Sequence, residues 1–147
     1  VQTCALPISL VVGAGVSGLV LAHALYAAGK RVVVLEKSRG YGGRLATKRA
    51  LDAVFDQGPP RVVVHAPRAL ARLAPLRDAG VLRPWADGLT GWPRMNAVGA
   101  ALAEGLDVRL DALVARASRK SGAWTLSCAD GSEFVASHVV LTAPVPQ

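Results

Sequence analysis

The 147-residue chain has few of the residue types that mark several large classes of protein. Its two cysteines, Cys4 and Cys128, form neither a C-x-x-C pair nor a metal-ligand spacing, so we expect no metal site. A reduced, cytoplasmic protein is the simplest interpretation of this cysteine content. No apolar run reaches the about 18 residues that a membrane span needs, and we therefore expect no membrane partner.

Groups that carry acid–base or nucleophilic catalysis are also scarce. The chain has three histidines, of which His23 lies in a predicted helix, while His65 and His138 flank apolar runs. None has a partner in a Ser-His-Asp or Cys-His pattern, so we expect none of them to be catalytic; a packed or surface position is the simpler interpretation of His23. The catalytic residues are therefore unknown from the sequence.

Acidic residues are fewer than basic ones. The chain has 10 Asp and Glu and 17 Lys and Arg, which gives a net charge of +7 and a pI near 10.3. Such a balance can indicate nucleic-acid binding. The cations are scattered, however, and no basic stripe is interleaved with aromatic residues, which make up 5% of the chain. Thirteen of the 17 cations are arginine, as a GC-rich coding sequence produces. We expect no nucleic-acid partner.

Apolar residues are plentiful, at 52% of the chain with a mean hydropathy of +0.35, so one domain of ordinary size can build a core. Residues 1–8 resemble the translation of a sequencing-adapter oligonucleotide and lack the basic start of a signal peptide. We expect residues 1–8 to be a non-native leader and residues 9–147 to form the domain.

A glycine turn follows the first apolar run and opens a helical pattern. Gly13, Gly15 and Gly18 form G-x-G-x-x-G, and Glu36 ends a second apolar run. This is the pattern of a βαβ dinucleotide-binding unit, in which the glycines permit a tight turn, close approach to a pyrophosphate and close helix packing. The acid is placed to accept hydrogen bonds from the adenosine ribose. The pattern indicates an adenine dinucleotide and leaves NAD and FAD open.

The remaining chain predicts an α/β fold with an inserted antiparallel β-meander. A glycine-rich basic loop spans residues 38–49, and Val62–Val64 looks strand-like. A helical stretch over 67–79 carries Pro75, which should kink or end it. A short helix over 96–104 is followed by short strands at 107–110, 113–119, 123–128 and 133–136, with a hairpin signal at Asp130-Gly131, and by a buried strand at 139–142.

Several local patterns together resemble the N-terminal part of the FAD-dependent amine oxidase superfamily, and its renalase-like branch most of all. The segments that carry the resemblance are Val12–Gly18, Leu35–Thr47, Phe55–Gly58, Gly80–Trp85, Pro93–Ala97 and Val139–Gln147. The resemblance implies a Rossmann-like FAD-binding domain that is incomplete at its C-terminus. Most of a substrate domain would then be missing.

The resemblance also implies roles for individual residues in holding FAD. Arg44, after the double glycine Gly42-Gly43, resembles an arginine that lies along the pyrophosphate, and Ser17 resembles a residue that meets the phosphates. Gly58 resembles a position near the flavin ring, and Val114 one that meets the adenine through backbone groups. For Val114 a core position, and for Lys37 a solvated lysine, are competing interpretations. The full predicted cofactor set is Gly13, Gly15, Ser17, Gly18, Glu36, Lys37, Gly43, Arg44, Gly58 and Val114.

The activity implied is that of an FAD-dependent oxidoreductase, whose flavin accepts a hydride from a small substrate, with O₂ as the electron acceptor. For renalase-like enzymes the implied substrates are dihydronicotinamide dinucleotide isomers; for the wider superfamily, an amine. We expect this stretch alone to be inactive. Two alternatives stay open: a non-catalytic remnant, and an NAD(P)-binding module that uses the same βαβ unit.

Overall fold

A computed structural model describes residues 9–144; the expected leader, residues 1–8, and residues 145–147 lie outside the described residues. In chain order the elements are β1 (Ser9–Val12), α1 (Val16–Ala27), β2 (Val32–Leu35), a 3₁₀ turn (Gly43–Leu45), β3 (Thr47–Ala50), β4 (Ala53–Asp56), α2 (Pro67–Asp78), β5 (Leu82–Trp85), β6 (Gly88–Gly91), α3 (Asn96–Ala103), β7 (Asp107–Arg109), β8 (Val114–Lys120), β9 (Ala123–Cys128), β10 (Glu133–Ala136) and β11 (His138–Leu141).

A four-stranded parallel sheet forms the centre of the fold, in the order β11-β1-β2-β7. Its inner strands β1 and β2 are covered on both faces, which is why they read as uninterrupted apolar runs. Because the strands are parallel, their carboxyl ends meet at one edge of the sheet. Gly13, Glu36 and Thr142, which follow β1, β2 and β11, therefore lie at the same edge.

The core has two parts, one on each face of the sheet. On one face Val11 and Val34 pack with side chains from α1, α2 and α3. On the other face Leu10 and Leu35 pack with Leu126 and other residues of the meander β8-β9-β10. Successive residues of a strand point to opposite faces, so β1 and β2 each serve both clusters. The result is three layers: helices, parallel sheet and meander.

The α/β class, the βαβ unit and the inserted meander are confirmed. The helix predicted at 96–104 is α3, and the predicted hairpin at Asp130-Gly131 joins β9 to β10 in antiparallel register. Gly131 has φ +86°, and Asp130 Oδ1 accepts hydrogen bonds from the backbone N–H and the hydroxyl of Ser132. An acid followed by glycine is the local chemistry that such a turn requires.

Several local expectations were wrong. The strand at 107–110 is β7, which pairs with β2 at the edge of the parallel sheet and not with the meander. The strand expected to be buried at 139–142 is β11, at an edge of the described sheet, and its Val140 and Leu141 are exposed. Pro75 does not end α2, which runs on to Asp78, and the alternative expectation of a kink there stays a prediction. The residues Val62–Val64 form no strand; Val62 makes a single antiparallel β-bridge with Leu89.

Two hairpins also form that the sequence did not predict. They are the β3-β4 and β5-β6 ribbons, and their turns contain Leu51 at φ 52° and Ala86 at φ 51°. Neither residue is a usual carrier of a positive φ, although an Asp-Gly pair, the same signal as in the β9-β10 turn, follows Ala86 at positions 87 and 88.

Candidate cofactor-binding site

The glycine turn is packed so closely that two of its positions exclude a side chain. Gly13 has φ +105°, and its N–H donates to the carbonyl of Leu35 at 2.7 Å. A Cβ at Gly13 would lie 2.9 Å from Oγ1 of Thr142, and a Cβ at Gly18 would overlap the carbonyl oxygen of Gly13. The reasons that the motif assigns to these two glycines, a tight turn and close helix packing, therefore hold in this fold.

The N-terminus of α1 opens on free space. Gly15 is its N-cap, and a Cβ there would meet no atom within 4 Å. No side chain caps this end, and the first turn carries no acid. The uncapped N–H groups and the partial positive charge of a 12-residue helix suit a phosphate, and exposed Ser17 adds a hydroxyl. The turn thus fits the pyrophosphate of a dinucleotide.

Glu36 is buried, at 6% exposure, and both of its carboxylate oxygens are engaged by backbone N–H groups. Oε2 accepts from Ala14 at 2.7 Å and Oε1 from Ser38 at 2.8 Å. The carboxylate therefore ties the glycine turn to the loop after β2. Each oxygen keeps a second lone pair, so the predicted hydrogen bonds from ribose hydroxyls remain compatible with this arrangement. Lys37, the next residue, is exposed at the same edge.

The double-glycine loop lies directly against the glycine turn. The N–H of Gly42 donates to the carbonyl of Ala14 at 2.8 Å, and Gly15 and Gly42 form a parallel bridge. A Cβ at Gly43 would lie 3.3 Å from the Cα of Gly15. Arg44 follows in the 3₁₀ turn with an exposed side chain. The glycine turn and the double-glycine loop thus flank one open space, and Arg44, which carries a permanent charge, follows Gly43 directly.

Gly58 packs against the backbone that follows the double glycine, at Arg44. A Cβ at Gly58 would overlap the carbonyl oxygen of Arg44, and the N–H of the preceding residue, Gln57, donates to the carbonyl of Ala46 at 3.0 Å. The immediate neighbour of Gly58 is therefore the backbone that carries Arg44. The role of Gly58 beside the flavin ring stays a prediction.

Val114 begins the meander close to Glu36. The N–H of Ala112 donates to the carbonyl of Glu36 at 2.9 Å, and that of Asp111 to the carbonyl of Ser38 at 3.2 Å. Val114 itself is partly buried against the core cluster of the meander side. Its side chain thus has the core position that competed with a cofactor role, and its backbone contact with adenine stays a prediction.

Two residues outside the predicted set also shape the site. The hydroxyl of Thr142 is placed to donate to two carbonyls, that of Val12 at 2.9 Å and that of Gly13 at 3.1 Å. Asp56 accepts the N–H of Met95 at 3.2 Å, at the start of α3, and the hydroxyl of Thr47 at 2.6 Å. Thr142 could have been predicted from the sequence, because it directly follows a parallel strand. Asp56 therefore has a structural role, since it joins the end of β4 to β3 and to the start of α3.

The described residues offer few other kinds of functional site. Among residues 9–144, no group of three or more His, Cys, Asp or Glu side chains is placed to hold a metal ion. In the same part of the chain, no helix has the length and apolar character needed to cross a membrane. Nε2 of His23 lies 2.8 Å from the carbonyl of Leu102, so this histidine joins α1 to α3. No residue is assigned as catalytic.

Comparison with known proteins divides the chain into two matched regions. Residues 11–75 match the sequence model of an NAD(P)-binding Rossmann-like domain, and residues 76–147 match that of flavin containing amine oxidoreductases. The chain belongs to the flavin-containing amine oxidase superfamily. Members of this superfamily are flavin enzymes, which confirms the cofactor class and the broad family that the sequence predicted.

Relatives within the superfamily include amino-acid and amine oxidases. A Bacillus subtilis (strain 168) protein, YobN, which is named for L-amino-acid oxidase activity, is 50% identical over 56 residues, or 36% of this chain and 12% of its own length. The L-amino-acid oxidase of Sistrurus catenatus edwardsii is 47% identical over 53 residues, 36% of this chain and 10% of its own.

A solved structure of wild-type putrescine oxidase bound to putrescine has the same fold, with a TM-score of 0.76 at 17% identity. The match covers 94% of this chain and 58% of that one, so the chain spans little more than half of this relative and far less of the other two.

Proposed function

We propose that residues 9–147 are the FAD-binding part of an oxidoreductase that takes a hydride from a small substrate and passes the electrons to O₂. One observation carries this proposal most directly. The uncapped N-terminus of α1 and the Gly43-Arg44 loop flank the same open space beside Gly15. Backbone N–H groups and an exposed guanidinium together suit a pyrophosphate.

The residues of this chain bind and orient the cofactor. Gly13, Gly15 and Gly18 shape the turn so that the N–H groups of α1 reach the phosphates, while Ser17 and Arg44 supply a hydroxyl and a charge. Glu36 holds the two loops together and offers its remaining lone pairs to the ribose. When bound, the flavin supplies the hydride acceptor.

For the substrate we propose a dihydronicotinamide dinucleotide isomer or an amine. The renalase-like resemblance over residues 80–85, 93–97 and 139–147 supports the first. The names of the relatives, L-amino-acid oxidase and putrescine oxidase, support an amine. H₂O₂ release by the FAD-loaded chain with each substrate class, compared with a flavin-only blank, distinguishes the two. Bound FAD with no turnover of any of them is the result expected if this stretch alone is inactive, and it leaves the substrate class open.

The binding of FAD is tested by titrating the purified chain and following flavin fluorescence. We expect saturable binding, which Arg44→Ala weakens about tenfold, the equivalent of about 1.4 kcal/mol. Arg49→Ala is the matched control, since it removes the same charge from an exposed position of β3 and should leave the affinity unchanged. A wild-type chain that retains no FAD contradicts the proposal, and equal losses in both variants contradict the role of Arg44.

The match of residues 11–75 to an NAD(P)-binding domain favours a second candidate, an NAD(P)-binding module. The same titration with NADPH and NADH separates the two. FAD is expected to bind more tightly than either nicotinamide nucleotide and to be displaced by neither at equal concentration. Tighter binding of NADPH would favour the second candidate.

A further inference from the structure

Gly99 is an unexpected residue at its place in the fold. It lies in the interior of α3, between Ala97-Val98 and Ala100-Ala101, and it is buried. Glycine inside a helix is less favourable than alanine, because it loses more backbone freedom on folding. In a helix otherwise rich in alanine, this glycine therefore needs a reason from packing.

That reason is a backbone-to-backbone contact with the double-glycine loop. A Cβ at Gly99 would lie 2.6 Å from the Cα and 2.7 Å from the N of Gly42, and 2.9 Å from the carbonyl carbon of Tyr41. All three atoms belong to the backbone, so no side-chain rotation can make room. The N–H of Gly42 is the group that donates to the carbonyl of Ala14 in the glycine turn.

The helix cannot easily yield in place of the loop. Asp56 binds the N–H of Met95 at the start of α3, and Met95 is fully buried. Val98 and Leu102 pack in the helix-side core, at 4% and 7% exposure. A methyl group at position 99 would therefore displace the Gly42–Arg44 loop, in which Gly43 and Arg44 are exposed, rather than the anchored helix.

We propose that Gly99 is a positioning residue, which lets α3 hold the Gly42–Arg44 loop against the glycine turn at the separation that a pyrophosphate requires. The inference rests on the proposed function, since the pyrophosphate is that of the bound dinucleotide. Gly99 acts through the loop and touches no ligand itself. It adds a segment from α3 to a site that already draws on the glycine turn, the double-glycine loop and Thr142.

The test is Gly99→Ala in the 147-residue chain, with Gly40→Ala as the control. Gly40 belongs to the same loop, and a Cβ there would meet no atom within 4 Å. For Gly99→Ala we expect the Kd for FAD and for ADP to rise about tenfold or more, while the Kd for adenosine, which has no pyrophosphate, changes less than about twofold. Gly40→Ala should leave all three unchanged.

Hydrogen exchange tests the placement of the loop without any ligand. The Gly42 amide should exchange faster in Gly99→Ala, while the amides of β1 and β2 exchange as in the wild-type chain. Wild-type exchange and wild-type affinities in this variant would overturn the inference, as would equal losses for ADP and adenosine or failure of the variant to fold. If the wild-type chain binds no FAD, the proposed function fails, and exchange at Gly42 still decides whether Gly99 places the loop.

Discussion

Single side chains hold the site together before any ligand binds, and Glu36 is the clearest case. Its two oxygens accept one backbone N–H each, from segments 24 residues apart, Ala14 and Ser38. The sequence pattern assigned the acid to the ribose alone. In the fold, the same carboxylate is also what keeps the glycine turn and the following loop together. Loss of FAD binding in a Glu36 variant therefore has two causes that must be measured separately.

We expect Glu36→Gln to lower the free energy of unfolding by about 1–3 kcal/mol, even without FAD, because its NH₂ group would face a backbone donor that has lost its acceptor. Urea unfolding measures this. Glu104→Gln, at an exposed position after α3, is the control and should stay within about 0.5 kcal/mol of the wild-type chain. A Glu36→Gln chain of wild-type stability would show that the two hydrogen bonds contribute nothing.

The hairpin turn between β9 and β10 makes a pH-dependent prediction. Hydrogen bonds from the side chain and backbone of Ser132 hold the pKa of Asp130 below its usual value of 3.8. A carboxyl with a lowered folded-state pKa stabilises the fold above its unfolded-state pKa and loses that contribution as the pH falls through the folded-state value.

Ser132→Ala should raise the pKa of Asp130 toward 3.8, since it removes the larger of the two contributions. An NMR titration of the Asp130 side chain measures the change, and Ser137→Ala, at an exposed position after β10, serves as the control. The turn of the wild-type chain should loosen only at pH values below the usual carboxyl range. An unchanged pKa in Ser132→Ala would refute the role of the hydroxyl.

At the scale of elements, α3 depends on an acid from another element. Asp56 at the end of β4 accepts the N–H of Met95 and thereby satisfies a donor at the start of the helix. The sequence showed α3 from its apolar pattern but could not show this contact, because the two residues are 39 positions apart. The two short hairpins are local, but their turns place Leu51 and Ala86 at a positive φ that these residue types seldom adopt, so the sequence did not predict them. The signals for α1, α3 and the β9-β10 hairpin are local and usual, and these elements were predicted.

Asp56→Ala should destabilise the chain by about 1–2 kcal/mol, because a helix start loses its acceptor. Thr47→Val should have a smaller effect, since it removes one donor to Asp56 and leaves the contact with Met95 intact. Both are measured by urea unfolding, with helix content followed by circular dichroism. A larger effect in Thr47→Val than in Asp56→Ala would mean that Asp56 serves the β3-β4 ribbon and not α3.

At the scale of the whole molecule, the parallel sheet brings opposite ends of the described chain to one place. β11 pairs with β1, and the hydroxyl of Thr142 reaches the carbonyls of Val12 and Gly13, about 130 residues away in sequence. The last strand therefore completes the glycine turn. The glycine turn in this fold therefore depends on contacts from both β1 and β11.

Thr142→Val keeps the shape of the side chain and removes its hydroxyl. We expect FAD affinity to fall about fivefold to tenfold, the effect of about 1 kcal/mol, because the carbonyl of Gly13 loses a donor and the turn loosens. Thr142→Ser retains the hydroxyl and should bind close to the wild-type chain. Equal affinity of the serine and valine variants would show that the contact is packing alone.

The sequence by itself determined the βαβ unit, the meander and the superfamily, because glycine spacing, apolar runs and turn residues are local properties of the chain. It also indicated Gly13 and Gly18 for the reasons that hold in this fold, a tight turn and close helix packing. Only the tertiary structure decided that Glu36 holds two loops, that β7 joins the parallel sheet, and that Gly58, Gly99 and Thr142 lie against the double-glycine loop or the glycine turn. These are contacts between backbones or side chains distant in sequence, and only the packed fold brings such groups within a few ångströms of each other.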